Sequence, residues 1–138
     1  MNIILGVDVV DIARFARALE RVPRLNERLF TAAERELPLA SRAARFAAKE
    51  AVAKALGAPR GLRWQDVEIP HAGQQPKLEL HRTVAKEASN RGVQNWQVSL
   101  THDAGIAIAV VIGVTYTVGL DAGEDRKVYQ ELESQCRT

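Results

Sequence analysis

The chain has 138 residues, 46% of them hydrophobic and 26% charged, and a formal net charge of +2. These values are typical of one globular domain and leave no room for two domains with separate cores. No apolar run approaches the roughly 20 residues that span a bilayer, and so small a positive charge does not indicate nucleic-acid binding. We therefore expect neither a membrane nor a nucleic acid as partner.

The N-terminus and the cysteine content predict a cytoplasmic location. Residues 1–5 lack the basic flank and the cleavage site of a signal peptide. Cys136 is the single cysteine and lies in a polar tail, so an internal disulfide is impossible and a zinc cluster is not expected.

The charges are unevenly distributed along the chain. Residues 1–60 carry 11 Lys or Arg and 7 Asp or Glu, whereas residues 61–138 carry 8 and 10. The positive excess lies in the N-terminal part, where we expect an acidic partner to dock.

The first 24 residues predict a buried strand followed by an amphipathic helix. Residues 2–10 are rich in Ile, Leu and Val. Asp11 is placed to cap a helix over residues 12–22, and Pro23 is placed to end it. One face of this helix is apolar, and another carries arginines at helical spacing. These arginines are Arg14, Arg17, Arg21 and Arg24.

The strongest helix prediction covers residues 41–56, after an irregular or weakly helical stretch that contains a capping-box pattern at Thr31 and Glu34. Ser41 is a suitable N-cap, and Gly57 a suitable residue after the helix. Both faces are largely apolar, so the helix is expected to lie between other elements. Glu50 shares one face with Lys54, and an ionised glutamate there is costly without a compensating cation or hydrogen bonds.

The remaining elements predict an α+β fold, in which a mostly antiparallel sheet packs on the long Ala-rich helix. The strand from 106 either continues through 114–120 or is followed by another strand, and the polar residues from 121 support only a short helix. The predicted elements are strands 64–69 and 77–80, helix 81–91 and a hairpin of strands 96–102 and 106–112. The predicted domain is 1–113, with residues 114–138 an extension of unknown role.

Two acidic residues far apart in sequence suggest a metal site. Asp8 lies where the first strand ends, and Glu50 projects from the Ala-rich helix. Carboxylate oxygens are preferred by Mg²⁺, which keeps open positions for substrate phosphates. Together with His102 at a strand end, they indicate a phosphate-handling metalloenzyme. Alternatively, Asp8 is a turn residue, Glu50 pairs with Lys54, and His102 bonds to a backbone carbonyl.

With these elements placed, the chain resembles the holo-[acyl-carrier-protein] synthases, the short branch of the 4′-phosphopantetheinyl transferases. Four motifs in family order carry the resemblance, over roughly residues 3–112. They are Gly6-Val7-Asp8 with downstream Arg14, the weaker Phe30-Thr31 with Glu34, Arg45-Phe46-Ala47-Ala48-Lys49-Glu50-Ala51, and Ser99-Leu100-Thr101-His102.

The resemblance implies transfer of the 4′-phosphopantetheine arm of coenzyme A to a serine of an apo acyl carrier protein or a carrier domain of a fatty-acid synthase. Adenosine 3′,5′-bisphosphate would be released. Asp8 and Glu50 would hold Mg²⁺, and Glu50, or a water beside it, would accept the serine proton. Lys54 would hold a phosphate oxygen or act as the base, and we favour phosphate binding.

The resemblance also implies binding roles for other residues. Arg45 and His102 would contact the 3′-phosphate of coenzyme A, and Lys49 is a weaker candidate for the same ligand. Arg14, Arg17, Arg21 and Arg24 would meet the acidic recognition helix of the carrier, and the protein would be a homotrimer with sites between subunits. The chain departs from the family at Gly73-Gln74-Gln75-Pro76, where a lysine is usual. His71 and His81 fit no pattern and are predicted to be surface residues.

Two other functions remain open. A non-catalytic carrier-binding module would keep the basic helix 12–24 but would have no need of Asp8, Glu50 and Lys54. A small RNA- or DNA-binding domain would use the same arginines, but the net charge is modest and no aromatic stacking motif accompanies it.

Overall fold

The structure is a computed structural model that describes residues 1–71, 73 and 75–116. Four consecutive helices follow the first strand, and the strands pair antiparallel, as is typical of an α+β fold. In chain order they are β1 (Asn2–Asp11), α1 (Ile12–Arg21), α2 (Leu25–Leu29), α3 (Ala32–Arg35), α4 (Leu39–Ala55), a 3-10 turn (Trp64–Asp66), β2 (Val67–Glu68), β3 (Glu79–Leu80), α5 (Arg82–Asn90), β4 (Val93–Asp103) and β5 (Ile106–Thr115).

A three-stranded antiparallel sheet in the order β1-β5-β4 joins both ends of the described chain. Ala109 on β5 lies opposite Asp8 on one side and opposite Leu100 on the other. The predicted hairpin is therefore confirmed, and its second strand continues to Thr115, which pairs with Asn2. The later part of the predicted 114–120 segment and the predicted short helix lie outside the described residues.

Helix α4 packs against one face of this sheet through small side chains. Its buried residues include Ala43, Ala47 and Ala51, whose short side chains let the backbones approach closely. A Cβ added at Gly6 of β1 would lie 1.8 Å from the carbonyl oxygen of Ala51, so only glycine fits there. This contact holds the C-terminal half of α4 against the part of β1 that carries Asp8.

The predicted N-terminal caps are confirmed for the two shorter helices. Asp11 accepts a hydrogen bond from the backbone N–H of Arg14 at 2.8 Å and so caps α1. The Glu34 carboxylate accepts one from the backbone N–H of Thr31 at 3.1 Å, as a capping box requires.

The prediction that Ser41 caps the long helix was wrong. The helix begins two residues earlier, at Leu39, with Pro38 as its N-cap. Proline is tolerated there because its missing N–H costs no intrahelical hydrogen bond, and its carbonyl accepts from Arg42 N–H at 3.0 Å. Gly57 follows the helix with φ +76°, in the left-handed conformation expected of a terminating glycine.

The predicted strand 64–69 was also largely wrong, because its first half forms the 3-10 turn. Buried Asp66 binds the start of α5: its carboxylate accepts from Thr83 N–H at 3.1 Å and from Thr83 Oγ1 at 2.6 Å. Its carbonyl accepts from His81 N–H at 2.7 Å. These contacts leave only a two-residue β2 to pair with β3.

Within the described residues, the second face of the sheet is apolar and exposed. Ile3, Leu5, Val7 and Val9 of β1 alternate along the strand and are each more than half exposed. Ile106, Ile108 and Ile112 of β5 extend this exposed sheet face. An apolar surface of this kind marks an interaction site. Among the described helices, none is both long and apolar enough to cross a bilayer.

Candidate active site

An ion pair between β1 and α4 forms the centre of the site. The Lys54 ammonium lies 2.7 Å from Asp8 Oδ1 and 3.2 Å from the carbonyl oxygen of Val7. The Asp8 side chain is 16% exposed and the Lys54 side chain 54% exposed, so the pair is open to solvent on the lysine side. The hydrogen bond to Asp8, and then the charge of Asp8, raise the pKa of Lys54.

Glu50 adds a second carboxylate to this pair. Its pKa is raised first by burial and then by the negative charge of Asp8, while Lys54 opposes the shift. In the part of the chain that the structure describes, Lys54 forms its ion pair with Asp8 and none with Glu50. The carboxylates of Asp8 and Glu50 repel each other, and they supply the oxygen donors that a hard divalent cation such as Mg²⁺ prefers.

A cleft of about 370 Å³ lies further toward the N-terminus of α4. It is bounded by α4, by the end of β4 and by the segment that follows β2. Its polar lining comes from Ser41, Arg45, His71, Gln75 and His102. The structure thus brings Arg45 and His102 together, as predicted from the sequence.

Arg45 is fixed by backbone carbonyls. Its Nε donates to the carbonyl oxygen of Ile69 at 2.9 Å, and its Nη1 donates to that of Ser41 at 3.2 Å. Burial lowers the pKa of Arg45, and the charge of Glu34 opposes this shift. A guanidinium has five donors in a planar fork, so a held Arg45 still offers N–H groups to an anion in the cleft.

The ion pair and the cleft lie on the same side of the sheet. Along α4, Arg45 precedes Glu50 by about 7.5 Å and Lys54 by about 13.5 Å, at 1.5 Å per residue. Asp8 and Leu100 are both in register with Ala109, and His102 follows Leu100 on the same face of β4. The two groups therefore belong to one elongated site along α4.

Lys49 does not reach this site. Its ammonium is fully buried and lies 2.7 Å from Glu34 Oε1. It also donates to the carbonyl oxygens of Trp64, at 3.1 Å, and of Val67. Burial lowers the pKa of Lys49, while Glu34 opposes the shift. Since an ammonium has three donors, none is left for coenzyme A.

Lys49 instead connects the core to the wall of the cleft. The second oxygen of Glu34 accepts from the backbone N–H of Ile69 at 3.2 Å, and Arg45 binds the carbonyl of the same residue. Ile69 is thus held on both sides, directly before Pro70 and His71 of the cleft lining.

The predicted basic face is exposed. Phe15 of α1 stacks on Phe46 of α4 with ring centroids 5.4 Å apart, which directs the opposite face of α1 to solvent. Arg24 lies outside α1, because the helix ends at Arg21 and Pro23 follows. Arg24 is the N-cap residue of α2 and has a φ of +63°. The predicted basic helix 12–24 is therefore a helix to Arg21 plus a turn. The exposed arginine face consists of Arg14, Arg17, Arg21 and Arg24.

His71 is a member of the cleft that the sequence did not predict. His71 was predicted to be a surface residue, and it is exposed, but it lines the same cleft as Arg45 and His102. The only signal was its place just before the Gly73-Gln74-Gln75-Pro76 turn. Of that turn, Gln75 also lines the cleft, and Gln74 lies outside the described residues.

The β2–β3 hairpin brings three other ligand-type side chains together. Ligand atoms of Glu68, Glu79 and His81 lie within 4.8 Å of one another. These residues share no member with the group around Asp8, and they provide a natural control for metal binding.

Comparison with known families identifies the superfamily of the chain. The sequence pattern of the 4′-phosphopantetheinyl transferase superfamily matches residues 4–111. This range includes Asp8, Glu50, Lys54 and His102. The chain belongs to this superfamily. The match ends before the extension predicted from residue 114.

Sequence relatives in this transferase superfamily are similar over nearly their whole length. The chain is 54% identical over 109 residues to the holo-[acyl-carrier-protein] synthase of Beutenbergia cavernae, covering 78% of this chain and 94% of that protein. It is 56% identical over 120 residues to that of Streptomyces coelicolor, covering 81% and 98%.

Solved transferase structures show the same fold. A complex of the Chronobacterium ammoniagenes synthase with coenzyme A superimposes with a TM-score of 0.75 at 26% identity, covering 84% of this chain and 99% of that one. The Helicobacter pylori synthase in complex with coenzyme A gives 0.70 at 32% identity, covering 80% and 99%. The predicted α+β fold with an antiparallel sheet on a long helix is confirmed.

Proposed function

We propose that this protein transfers the 4′-phosphopantetheine group of coenzyme A to a serine hydroxyl of an apo acyl carrier protein, releasing adenosine 3′,5′-bisphosphate. The observation that carries this proposal is the alignment of the Asp8, Glu50 and Lys54 group with the Arg45 and His102 cleft along one helix. The synthase relatives and the coenzyme A complexes of related chains support it.

Asp8 and Glu50 are the residues that would hold Mg²⁺. When bound, this ion would neutralise charge on the pyrophosphate of coenzyme A. Lys54, beside both carboxylates, would bind a phosphate oxygen, which its solvent-open position favours. Glu50, or a water next to it, would accept the proton of the attacking serine.

The cleft residues would bind the nucleotide end of coenzyme A. Arg45 and His102 are proposed to contact its 3′-phosphate, because a held guanidinium suits a phosphate that must be placed accurately. Lys49 is left out of this proposal, since its ammonium is enclosed by Glu34 and two carbonyls. Its role is to support the cleft through Glu34 and Ile69.

The partner would be a free acyl carrier protein or a carrier domain of a fatty-acid synthase. Its acidic recognition helix would meet the exposed arginine face of α1 and the following turn. We keep the cytoplasmic location predicted from the sequence within this proposal.

We propose that the protein forms a homotrimer with active sites between subunits. Support comes from the exposed sheet face, where apolar side chains of β1 and β5 stay open to solvent in a single chain. Val7 and Val9 of this face flank Asp8 directly, so a subunit covering it would border the site.

Intact-mass spectrometry tests the reaction. An apo acyl carrier protein incubated with this protein, coenzyme A and Mg²⁺ is expected to gain one phosphopantetheine, and EDTA is expected to prevent the gain. If neither a free carrier nor an excised carrier domain gains mass, catalysis is refuted and a non-catalytic carrier-binding module is favoured.

A further inference from the structure

A second cleft lies between α2, α3 and the 3-10 turn, and it shares no lining residue with the cleft of Arg45 and His102. Its volume is about 650 Å³, and it opens to solvent. Among the described residues, four arginines from three separate segments line it, together with one acidic residue, Glu27. These arginines are Arg24, Arg28, Arg35 and Arg63. A concave surface with this charge attracts anions.

Part of this arginine cleft is fixed by hydrogen bonds. Arg35 donates to the carbonyl oxygens of Phe30, at 3.1 Å, and of Glu27, at 3.0 Å. The side-chain amide of Gln65 donates to the same Glu27 carbonyl. These contacts tie α2 to α3 and to the 3-10 turn, so the walls keep their relative positions.

The other arginines of the cleft are held less firmly. Arg24 only approaches Glu27, at 4.0 Å. Within residues 1–71, 73 and 75–116, the guanidinium groups of Arg28 and Arg63 have no hydrogen-bond or ion-pair partner. Both residues are exposed.

An aromatic wall completes the arginine cleft. Trp64 lines it, and its ring packs edge-to-face on Phe46 with centroids 5.9 Å apart. Phe46 also stacks on Phe15 of α1. The arginine cleft and the exposed arginine face of α1 are thus fixed on the same aromatic cluster, and Arg24 belongs to both.

We infer that the arginine cleft binds a second acidic segment of the carrier protein, beyond the helix that meets α1. This inference rests on the proposed function. An acidic protein surface fits better than a small phosphate ligand, because the charges are spread over three segments of an open cleft rather than converging on one point. The docking surface then runs from α1 through Arg24 to Arg63.

Steady-state kinetics of Arg63→Glu and Arg28→Glu, with carrier and coenzyme A varied separately, test this inference. Each charge reversal is expected to raise the KM for the carrier by roughly 5- to 10-fold and to weaken its salt dependence, as for rim charges in protein interfaces. The KM for coenzyme A should stay near the wild-type value. Lys86→Glu, a charge reversal at an exposed residue of α5, is the matched control. Equal thermal unfolding of the three variants establishes that they fold.

The outcomes separate this inference from the proposed function. Wild-type protein that modifies no carrier refutes the proposed function. The inference alone is overturned if the wild-type protein transfers phosphopantetheine but the KM for the carrier rises no more in Arg63→Glu than in Lys86→Glu. A loss of affinity for a labelled single-stranded RNA, with the carrier KM unchanged, also overturns it and favours a nucleic acid as the occupant.

Discussion

The Lys54 ammonium lies 2.7 Å from Asp8 Oδ1, although the two residues are 46 positions apart in the chain. The carboxylate that we assign to Mg²⁺ is thus already paired with a cation of the protein itself. A metal ion held by Asp8 would compete with Lys54 for this oxygen, and Lys54 would then be available to a phosphate oxygen.

Replacing Lys54 by methionine should therefore strengthen Mg²⁺ binding while lowering the transfer rate. Without the competing ammonium, the Mg²⁺ affinity is expected to rise about two- to five-fold, the range of an exposed ion pair. Isothermal titration with Mg²⁺ alone measures this, with Lys86→Met as control. An unchanged or weaker affinity in Lys54→Met would show that the two cations do not compete.

Glu50→Gln should stabilise the metal-free protein. Burial and the charge of Asp8 raise the pKa of Glu50 in the folded protein. The contribution of Glu50 to folding stability is therefore complete below the pKa of the unfolded state, and it is lost as the pH rises through the pKa of the folded state. At pH 8 in EDTA, the glutamine variant should therefore melt at a higher temperature than wild type, and the difference should shrink toward pH 4.

The same variant should lose the increase in melting temperature that Mg²⁺ gives to the wild type. Glu79→Gln, in the carboxylate group of the β2–β3 hairpin, is the control and should keep that increase. Loss of the Mg²⁺ effect in Glu79→Gln but not in Glu50→Gln would place the metal at the hairpin.

Lys49→Met should unfold readily, because it removes the ion-pair partner of the buried Glu34 carboxylate. Breaking one side of a buried ion pair costs about 3–5 kcal/mol. Urea unfolding should show this loss, and Glu34→Leu combined with Lys49→Met should recover much of it. A Lys49→Met protein of wild-type stability whose KM for coenzyme A has risen would instead point to direct contact with the ligand.

Leu5→Glu should prevent assembly, since Leu5 lies on the exposed sheet face and is 61% exposed in the single chain. A carboxylate buried there against an apolar neighbour would be desolvated without a partner. Light scattering coupled to size exclusion should give a trimer mass for wild type and a monomer mass for the variant. Monomeric wild-type protein at micromolar concentration would contradict the trimer.

The sequence predicted those elements whose hydrophobic spacing is strong over many residues. The first strand, α1, the long helix and the last hairpin all have this property, and the three motifs with Asp8, Glu50 and His102 fall on them. The metal and phosphate candidates therefore lie on the elements that the sequence predicted for them.

The errors concern contacts that local spacing does not encode. Lys49 is next to Glu50 in sequence, yet it points to Glu34 of α3 rather than to the site. His71 enters the cleft because a segment after β2 folds against the end of β4. The start of α4 at Leu39 depends on Pro38, which resembles a loop signal more than a cap.

The most direct test of the central claim separates chemistry from carrier binding. Single-turnover transfer from coenzyme A to an apo carrier protein should be followed by intact mass for wild type and for Asp8→Asn, together with carrier affinity by titration. We predict that Asp8→Asn binds the carrier within about two-fold of wild type but transfers phosphopantetheine at least about 100-fold more slowly. Transfer at the wild-type rate by Asp8→Asn would contradict the assignment of the reaction to this site.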